Sequence, residues 1–356
     1  PGRLPLLAEK LSGLAGQLSG DGFTDAVVLG MGGSSMTPLT LRGIFGKPGP
    51  GSPGLRLHAL DTVNPASIAS VADSLDLPRT LFFVSSKSGT TVEPLSLEAY
   101  FRSQLSVDAA GSGLSSAGPG TGRRNFVALT DPGTPMSERA RAGEFGTWMA
   151  TPEDVGGRFS ALSAFGMMPA TAAGMDPGRF ADAAARMVQQ CLTDSTSNPG
   201  LQLGAFMAAN ALAGRDKVTL ITSNEYAGFG MWVEQLLAES TGKDGRGLIP
   251  IAGELRLEAE SYGSDRQFIV FDSYDEDSNF RQVSAELESA GHPVLVIKAS
   301  GSEKHGIAGE FFRWQFATAA AASLMGVYPF DQPDVEAAKV KSRELLSDTG
   351  QSPVTY

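Results

Sequence analysis

Residues 80–91 read "TLFFVSSKSGTT": an apolar, strand-like run that breaks at once into five hydroxyl side chains, a lysine and a glycine. A nearly continuous apolar run of this length fits a parallel strand covered on both faces. The residues that follow, "VEPLSLEAYF" (92–101), turn to helical spacing. Strand, hydroxyl-rich turn and helix together open a βαβ unit. The turn itself has two readings. It is a polar turn with a helix N-cap, which Ser and Thr favour, or it is an anion site. A helix start leaves backbone N–H groups unpaired, and hydroxyls beside them add donors for phosphate oxygens. These residues alone leave the two readings even.

The same alternation runs through the chain. Short β-rich runs recur at 25–30 ("DAVVLG"), 55–60, 80–86, 125–130, 217–222, 266–272 and 293–299, with helical patterns at 93–104, 179–191, 229–241 and 278–290. That order predicts doubly wound, mainly parallel α/β structure. The strands form two sets on either side of a long helical region, roughly 158–213, which points to two lobes. Gly, Ser and Pro concentrate at 46–54 and 109–122, both read as surface loops, the second as a mobile one. Residues 309–326 predict a helix ended by Gly326, its aromatics belonging to the core, and a further helix is expected over 335–346.

Composition narrows the function. The chain has 356 residues, 42% hydrophobic and 19% charged, ample for two cores of ordinary domain size. A formal net charge of -11 disfavours nucleic acid and anionic membrane as partners. Local backbone donors can still hold phosphate in an acidic protein. The single cysteine, Cys191, leaves neither a disulfide framework nor a thiolate cluster, and His58, His292 and His305 are far apart. No apolar run has the length of a membrane span and no signal peptide is visible, so a cytoplasmic enzyme is expected.

Three more stretches carry chemistry. In "VVLGMGGSSM" (27–36) a strand runs into glycines and serines before a helix. A dinucleotide fingerprint needs wider glycine spacing and an acid some twenty residues on, yet no acid occurs between Gly33 and Asp61. The glycines instead allow close backbone approach, with Ser34 at the helix start. "VGGRFSALSAFG" (155–166) presents Arg158, a fixed planar cation suited to an oxyanion, or else a surface arginine after a turn. In "WVEQLLAESTGKDGRG" (232–247), Gln235 and Glu239 stand four apart and share a helix face. Glu239 lies near the helix end, where the dipole makes a carboxylate a readier proton acceptor; burial acts in the same direction. A general base needs that property. Glu234 and Glu239 also read as solvated acids.

Together, "GMGGSS", "SSKSGTT-VEP", "GGRFSALSAFG", "EQLLAESTGK" and "PFDQPDVEAAK" stand in the order found in the phosphoglucose isomerase family, and the chain resembles that family over nearly its whole length. "TDPGTPM" (130–136) and "GEFFRWQFATAAA" (309–321) look most like the isomerase half of transaldolase–phosphoglucose isomerase fusions. The resemblance implies two sugar-isomerase lobes, flavodoxin-like and three-layered α/β/α. It divides the chain into a first lobe with the phosphate loops (1–157), a connecting helical region (158–213), a second lobe (214–326) and a C-terminal helix (327–356). It implies that Gly33, Ser34, Ser86, Lys87, Ser88 and Thr91 hold a substrate phosphate and that Gln235 contacts substrate. Glu239 would move the proton between C1 and C2, Arg158 stabilise the enediolate, and Lys339 help open the sugar ring, with Lys341 as a competing donor for that step. The family's histidine is missing from 240–291, which leaves His305 as the nearest ring-opening candidate, and Tyr328 replaces the family's asparagine before "PFDQP".

The expected activity is interconversion of glucose 6-phosphate and fructose 6-phosphate, with no metal or other cofactor. The chain would act as a homodimer or as part of a longer transaldolase-fused polypeptide. An isomerase that also accepts mannose 6-phosphate, and a non-catalytic sugar-phosphate sensor, stand as alternatives. A sensor could dispense with Glu239, Arg158 and Lys339, and all three are present.

Overall fold

The computed structural model describes residues 2–45, 54–111, 122–272, 279–298, 304–332, 337–338, 340–341 and 344. Among these, the expected strands form two separate parallel sheets. The first contains β1 (Asp25–Gly30), β2 (Arg56–Leu60), β3 (Thr80–Ser85), β4 (Phe126–Thr130) and β5 (Thr147–Ala150), in the order β2-β1-β3-β4-β5. The second contains β6 (Lys217–Ile221), β7 (Ile249–Ala252), β8 (Arg266–Asp272) and β9 (Val294–Lys298), in the order β7-β6-β8-β9. Every pairing is parallel. Both sheets start from an inner strand, place the next on one side and wind outward on the other, as flavodoxin-like sheets do.

The apolar runs explain the inner strands. All residues of β1, β3 and β4 are buried, and their register sets Leu29 beside both Leu60 and Val84. Edge strands β5 and β7 did not emerge from the sequence pattern. Each has four residues and is largely half-exposed, so neither carries a continuous apolar run.

Helices cover the sheets: α1 (Arg3–Gly20), α2 (Gly33–Phe45), α3 (Pro65–Ala72), α4 (Val92–Gly111), α5 (Pro135–Arg141), α6 (Ala164–Ala172), α7 (Pro177–Cys191), α8 (Pro199–Leu212), α9 (Ala227–Thr241), α10 (Phe280–Ser289) and α11 (Ile307–Leu324). Several start on the signals the sequence carries. Asp176 caps α7 through the N–H groups of Gly178 and Arg179, and Asn198 caps α8 through Gly200 and Leu201, each ahead of a proline at the first helical position. Helices α6 to α8 lie between the two strand sets in sequence.

One apolar core bridges the sheets. Val28 of β1, Leu41 of α2, Phe229 and Trp232 of α9, Phe271 of β8 and Trp314 of α11 belong to it. Trp232 meets Phe311 edge-on at 4.7 Å, an arrangement that aromatic quadrupoles favour. Helices α2 and α9 run antiparallel in contact: Thr40 donates its hydroxyl to the Gly228 carbonyl at 2.8 Å, while Gly32, just before α2, faces Gln235 late in α9. That pairing sets the start of α2 against the end of α9. Among the described residues no helix is long and apolar enough to cross a membrane. Of the two expected surface loops, 46–53 and 112–121 lie outside the described residues, as does most of the helix expected over 335–346.

Candidate active site

The two hydroxyl-rich turns stand at the carboxyl ends of neighbouring strands β1 and β3, where the winding direction of the first sheet reverses. Open α/β sheets bind ligands in that crevice. Ser34 joins the turns: its hydroxyl donates toward the Met31 and Ser85 carbonyls at 2.9 and 3.3 Å and accepts from the Met31 N–H at 3.1 Å. Across the second turn, Ser86 Oγ donates to Thr91 Oγ1 at 2.9 Å and accepts from the Thr91 N–H at 3.4 Å. Ser86 is buried, whereas Ser88 and Thr90 are exposed and paired to each other at 2.9 Å.

Two glycines in the first turn are required by geometry. Gly32 has φ of +57°, and a Cβ there would stand 2.9 Å from Gln235 Nε2. A Cβ on Gly33 would lie 2.2 Å from the carbonyl carbon and oxygen of Gly157 and 2.6 Å from the Arg158 nitrogen. The start of α2 is therefore pressed against the segment that delivers Arg158.

Arg158 is 1% exposed, one of the largest fully buried side chains. Its Nε donates to Ser240 Oγ at 2.8 Å, and Nη2 donates to the Asp331 carbonyl at 3.0 Å and to the Pro329 carbonyl. Nη1 reaches Glu239 Oε2 at 3.5 Å. Burial pushes the guanidinium below its ordinary value, against the charges of Glu239 and Asp331. Glu239 takes a second hydrogen bond on Oε1 from Gln235 Nε2 at 2.9 Å. The Glu239 side chain is 33% exposed, so solutes can reach it. Gln235 Oε1 is buried and has no hydrogen-bond partner among the described residues.

The circuit closes through Ser240, Lys243 and Asp131, which the sequence pattern did not single out. Ser240 holds Arg158. Lys243 holds the "PFDQP" segment, donating to the Tyr328 and Asp331 carbonyls and to the Asp331 carboxylate. Lys87 turns its ammonium away from the hydroxyls of its own loop, toward Asp131 and the carbonyls of Pro152 and Glu153. Position in the "ESTGK" motif could have flagged Ser240 and Lys243. Asp131 had no signal beyond a turn.

Gly33, Ser34, Ser86, Arg158, Gln235 and Glu239 are thus linked around one place, with Lys87, Ser88 and Thr91 on the adjoining loop. His305 is not brought there. Its ring packs edge-on against Phe45 at 5.0 Å, at the opposite end of α2 from Ser34, about 16 Å away at the helical rise. Lys339 lies outside the described residues. Lys341, two residues on in sequence, is exposed and 3.4 Å from Glu344. No group of three or more His, Cys, Asp or Glu among the described residues could hold a metal ion.

Two parallel sheets, paired hydroxyl-rich turns and a partly exposed carboxylate beside a buried arginine are the features this arrangement brings together. The model of one family, phosphoglucose isomerase, matches residues 6–247. The chain belongs to the phosphoglucose isomerase family. Glucose-6-phosphate isomerase of Rubrobacter xylanophilus is 28% identical, the match covering 95% of this chain and 86% of that protein. Two solved structures share the fold. A hypothetical protein of Thermus thermophilus superposes with a TM-score of 0.82 at 24% identity, over 97% of this chain and 89% of that one. A glucose-6-phosphate isomerase of Chlamydia trachomatis gives 0.79 at 21% identity, over 97% and 74%.

Proposed function

We propose that the chain interconverts glucose 6-phosphate and fructose 6-phosphate through a cis-enediol, with Glu239 as the base. The observation that carries this reading is the contact of Gly33 with the Gly157–Arg158 backbone, which sets a phosphate turn beside the Arg158–Glu239 pair. The turns of 30–34 and 86–91 hold the 6-phosphate through backbone N–H groups and hydroxyls. Tethering there fixes the open-chain sugar relative to the base and removes much of the orientational cost.

Glu239 takes the proton from C2 of the aldose, the C2–H electron pair forms the C1=C2 bond, and O1 gains a proton. Return of the proton to C1, with loss of the O2 proton, gives the ketose. Gln235 keeps Glu239 Oε1 occupied, leaving Oε2, at the longer Arg158 contact, as the oxygen that exchanges the proton. The Gln235 carbonyl oxygen is suited to a sugar hydroxyl. Arg158 offsets the charge that develops on the enediol oxygens; with its other donors occupied, it does so through its charge and Nη1.

The family resemblance supports Lys339 for ring opening. His305 could serve that step only in another arrangement of chains, because in its own chain it sits at the far end of α2. The resemblance also supports a cytoplasmic homodimer, or the isomerase portion of a transaldolase fusion.

The test is the initial rate of glucose 6-phosphate formation from fructose 6-phosphate, coupled to a dehydrogenase, with mannose 6-phosphate assayed in parallel. Turnover by the parent and a loss of about 10²–10⁴ in Glu239→Gln is expected, the range general acid–base catalysis supplies. A folded parent that binds fructose 6-phosphate without turning it over would overturn the reading in favour of a sensor.

A further inference from the structure

We propose that Asp131 is a positioning residue for the phosphate loop, and that Lys87 serves the site through this ion pair and its backbone, not by aiming its ammonium at phosphate. The inference rests on reading 86–91 as the phosphate loop.

Asp131 follows β4 and is 8% exposed. One carboxylate oxygen accepts from Lys87 Nζ and the other from the hydroxyl of Thr151, itself 3% exposed. The remaining ammonium donors of Lys87 go to the Pro152 and Glu153 carbonyls, at 3.2 and 3.0 Å. An ammonium has three donors, so all of them are engaged within the protein. The backbone repeats the connection: the Asp131 N–H and the Thr130 hydroxyl both donate to the Lys87 carbonyl at 3.2 Å, and the Thr151 N–H donates to the Thr130 carbonyl at 3.0 Å.

Three segments leaving the carboxyl ends of β3, β4 and β5 are thereby held by one carboxylate. The third of them continues to Gly157 and Arg158, which press on Gly33, and Ser34 returns to Ser85. The ring of contacts runs from the phosphate loop through Asp131 to the arginine and the start of α2, then back to the loop. Phosphate turn, loop and arginine are set relative to one another by a group that reaches no substrate atom itself.

The sign of the effect makes this testable. A carboxylate close to a phosphate site repels the dianion, so removing its charge tightens phosphate binding if the carboxylate does no positioning. If it does, binding weakens. The measurements on the full chain are inhibition by inorganic phosphate and KM and kcat for fructose 6-phosphate, for the parent, Asp131→Asn, Lys87→Met, the double variant and Thr151→Val. Thr151→Val keeps the charge and removes one of the bonds that hold it, so it tests the same point should Asp131→Asn fold poorly.

Expected are increases of about tenfold in the phosphate inhibition constant and in KM for Asp131→Asn, with kcat within about threefold. Thr151→Val should shift in the same direction, and the double variant should lose little more than either single one, as groups in one network do. Unchanged or tighter phosphate binding in Asp131→Asn and Thr151→Val overturns the proposal. So does a much larger loss in Lys87→Met that adds to that of Asp131→Asn, the mark of direct phosphate contact. A lowered thermal midpoint with unaltered constants would reduce Asp131 to a structural group. A parent insensitive to phosphate would instead remove the phosphate-loop reading, and this proposal with it.

Discussion

Arg158 and Glu239, separated by 81 positions in sequence, meet at 3.5 Å, and the arginine is the more deeply buried partner. Its guanidinium also holds Ser240 and the carbonyls of Pro329 and Asp331, so one side chain ties helix α9 to the "PFDQP" segment. A lysine has no planar fork with which to serve these directions at once. Arg158→Lys is expected to lower stability by about 1–3 kcal/mol through partners left unsatisfied, and to cut kcat at least about tenfold. Chemical denaturation and initial rates check the two effects separately; full activity would show that the fork is dispensable.

Gly33→Ala tests the close approach of α2 to residue 157. The added methyl would stand 2.2 Å from backbone atoms of Gly157, so the helix or the arginine segment must shift. Overpacking of this kind costs about 1–3 kcal/mol. The accompanying expectation is a higher KM for fructose 6-phosphate. A variant with parental KM and thermal midpoint would mean that the turn and the Arg158 segment move independently.

Gln235→Met keeps length and removes the donor to Glu239 Oε1. A kcat loss of about tenfold is expected, the worth of one hydrogen bond to a charged group. Inhibition by inorganic phosphate should change little, because the hydrogen bond lost goes to Glu239 and the close approach of the side chain to Gly32 is kept. A selective rise in the phosphate constant would assign the glutamine to the wrong half of the substrate.

The Lys243–Asp331 pair predicts a pH dependence. The hydrogen bond from Lys243 holds the Asp331 carboxyl below the usual carboxylate range. A carboxyl with a depressed value in the folded state contributes stability above its unfolded value, about 3.9, and loses it as pH falls through the folded value. The thermal midpoint of the parent should therefore exceed that of Asp331→Asn at neutral pH, with the gap closing below about pH 4. A gap that persists undiminished into that acid range would rule out the ion pair as its source.

How much of this was legible in the sequence depended on the range of the interaction. Strands β1, β3, β4, β6 and β8 were legible because burial on both faces demands apolar runs. Edge strands β5 and β7 escaped because four half-exposed residues impose no pattern. Ser34, Ser86 and Gln235–Glu239 were readable from local chemistry: a helix start, a hydroxyl-rich turn, an i, i+4 face. The pairing of Glu239 with Arg158, and the hold of Asp131 on Lys87 and Thr151, join residues 20 to 81 positions apart. No local periodicity encodes such contacts; they follow from which strand ends the sheet order makes neighbours. His305 illustrates the converse: as the nearest histidine downstream of the family's usual position it stood out in sequence, yet α2 separates it from Ser34 by the helix's length.

The central claim is that Glu239 carries a proton between C1 and C2. The most direct measurement is turnover of fructose 6-phosphate in D2O, following deuterium in the sugar by NMR. Proton transfer through an enediol predicts that deuterium accumulates at C2 of glucose 6-phosphate and C1 of fructose 6-phosphate over repeated turnover, and that Glu239→Gln incorporates almost none. Isomerisation that leaves both carbons free of deuterium, or incorporation undiminished in Glu239→Gln, would contradict the account.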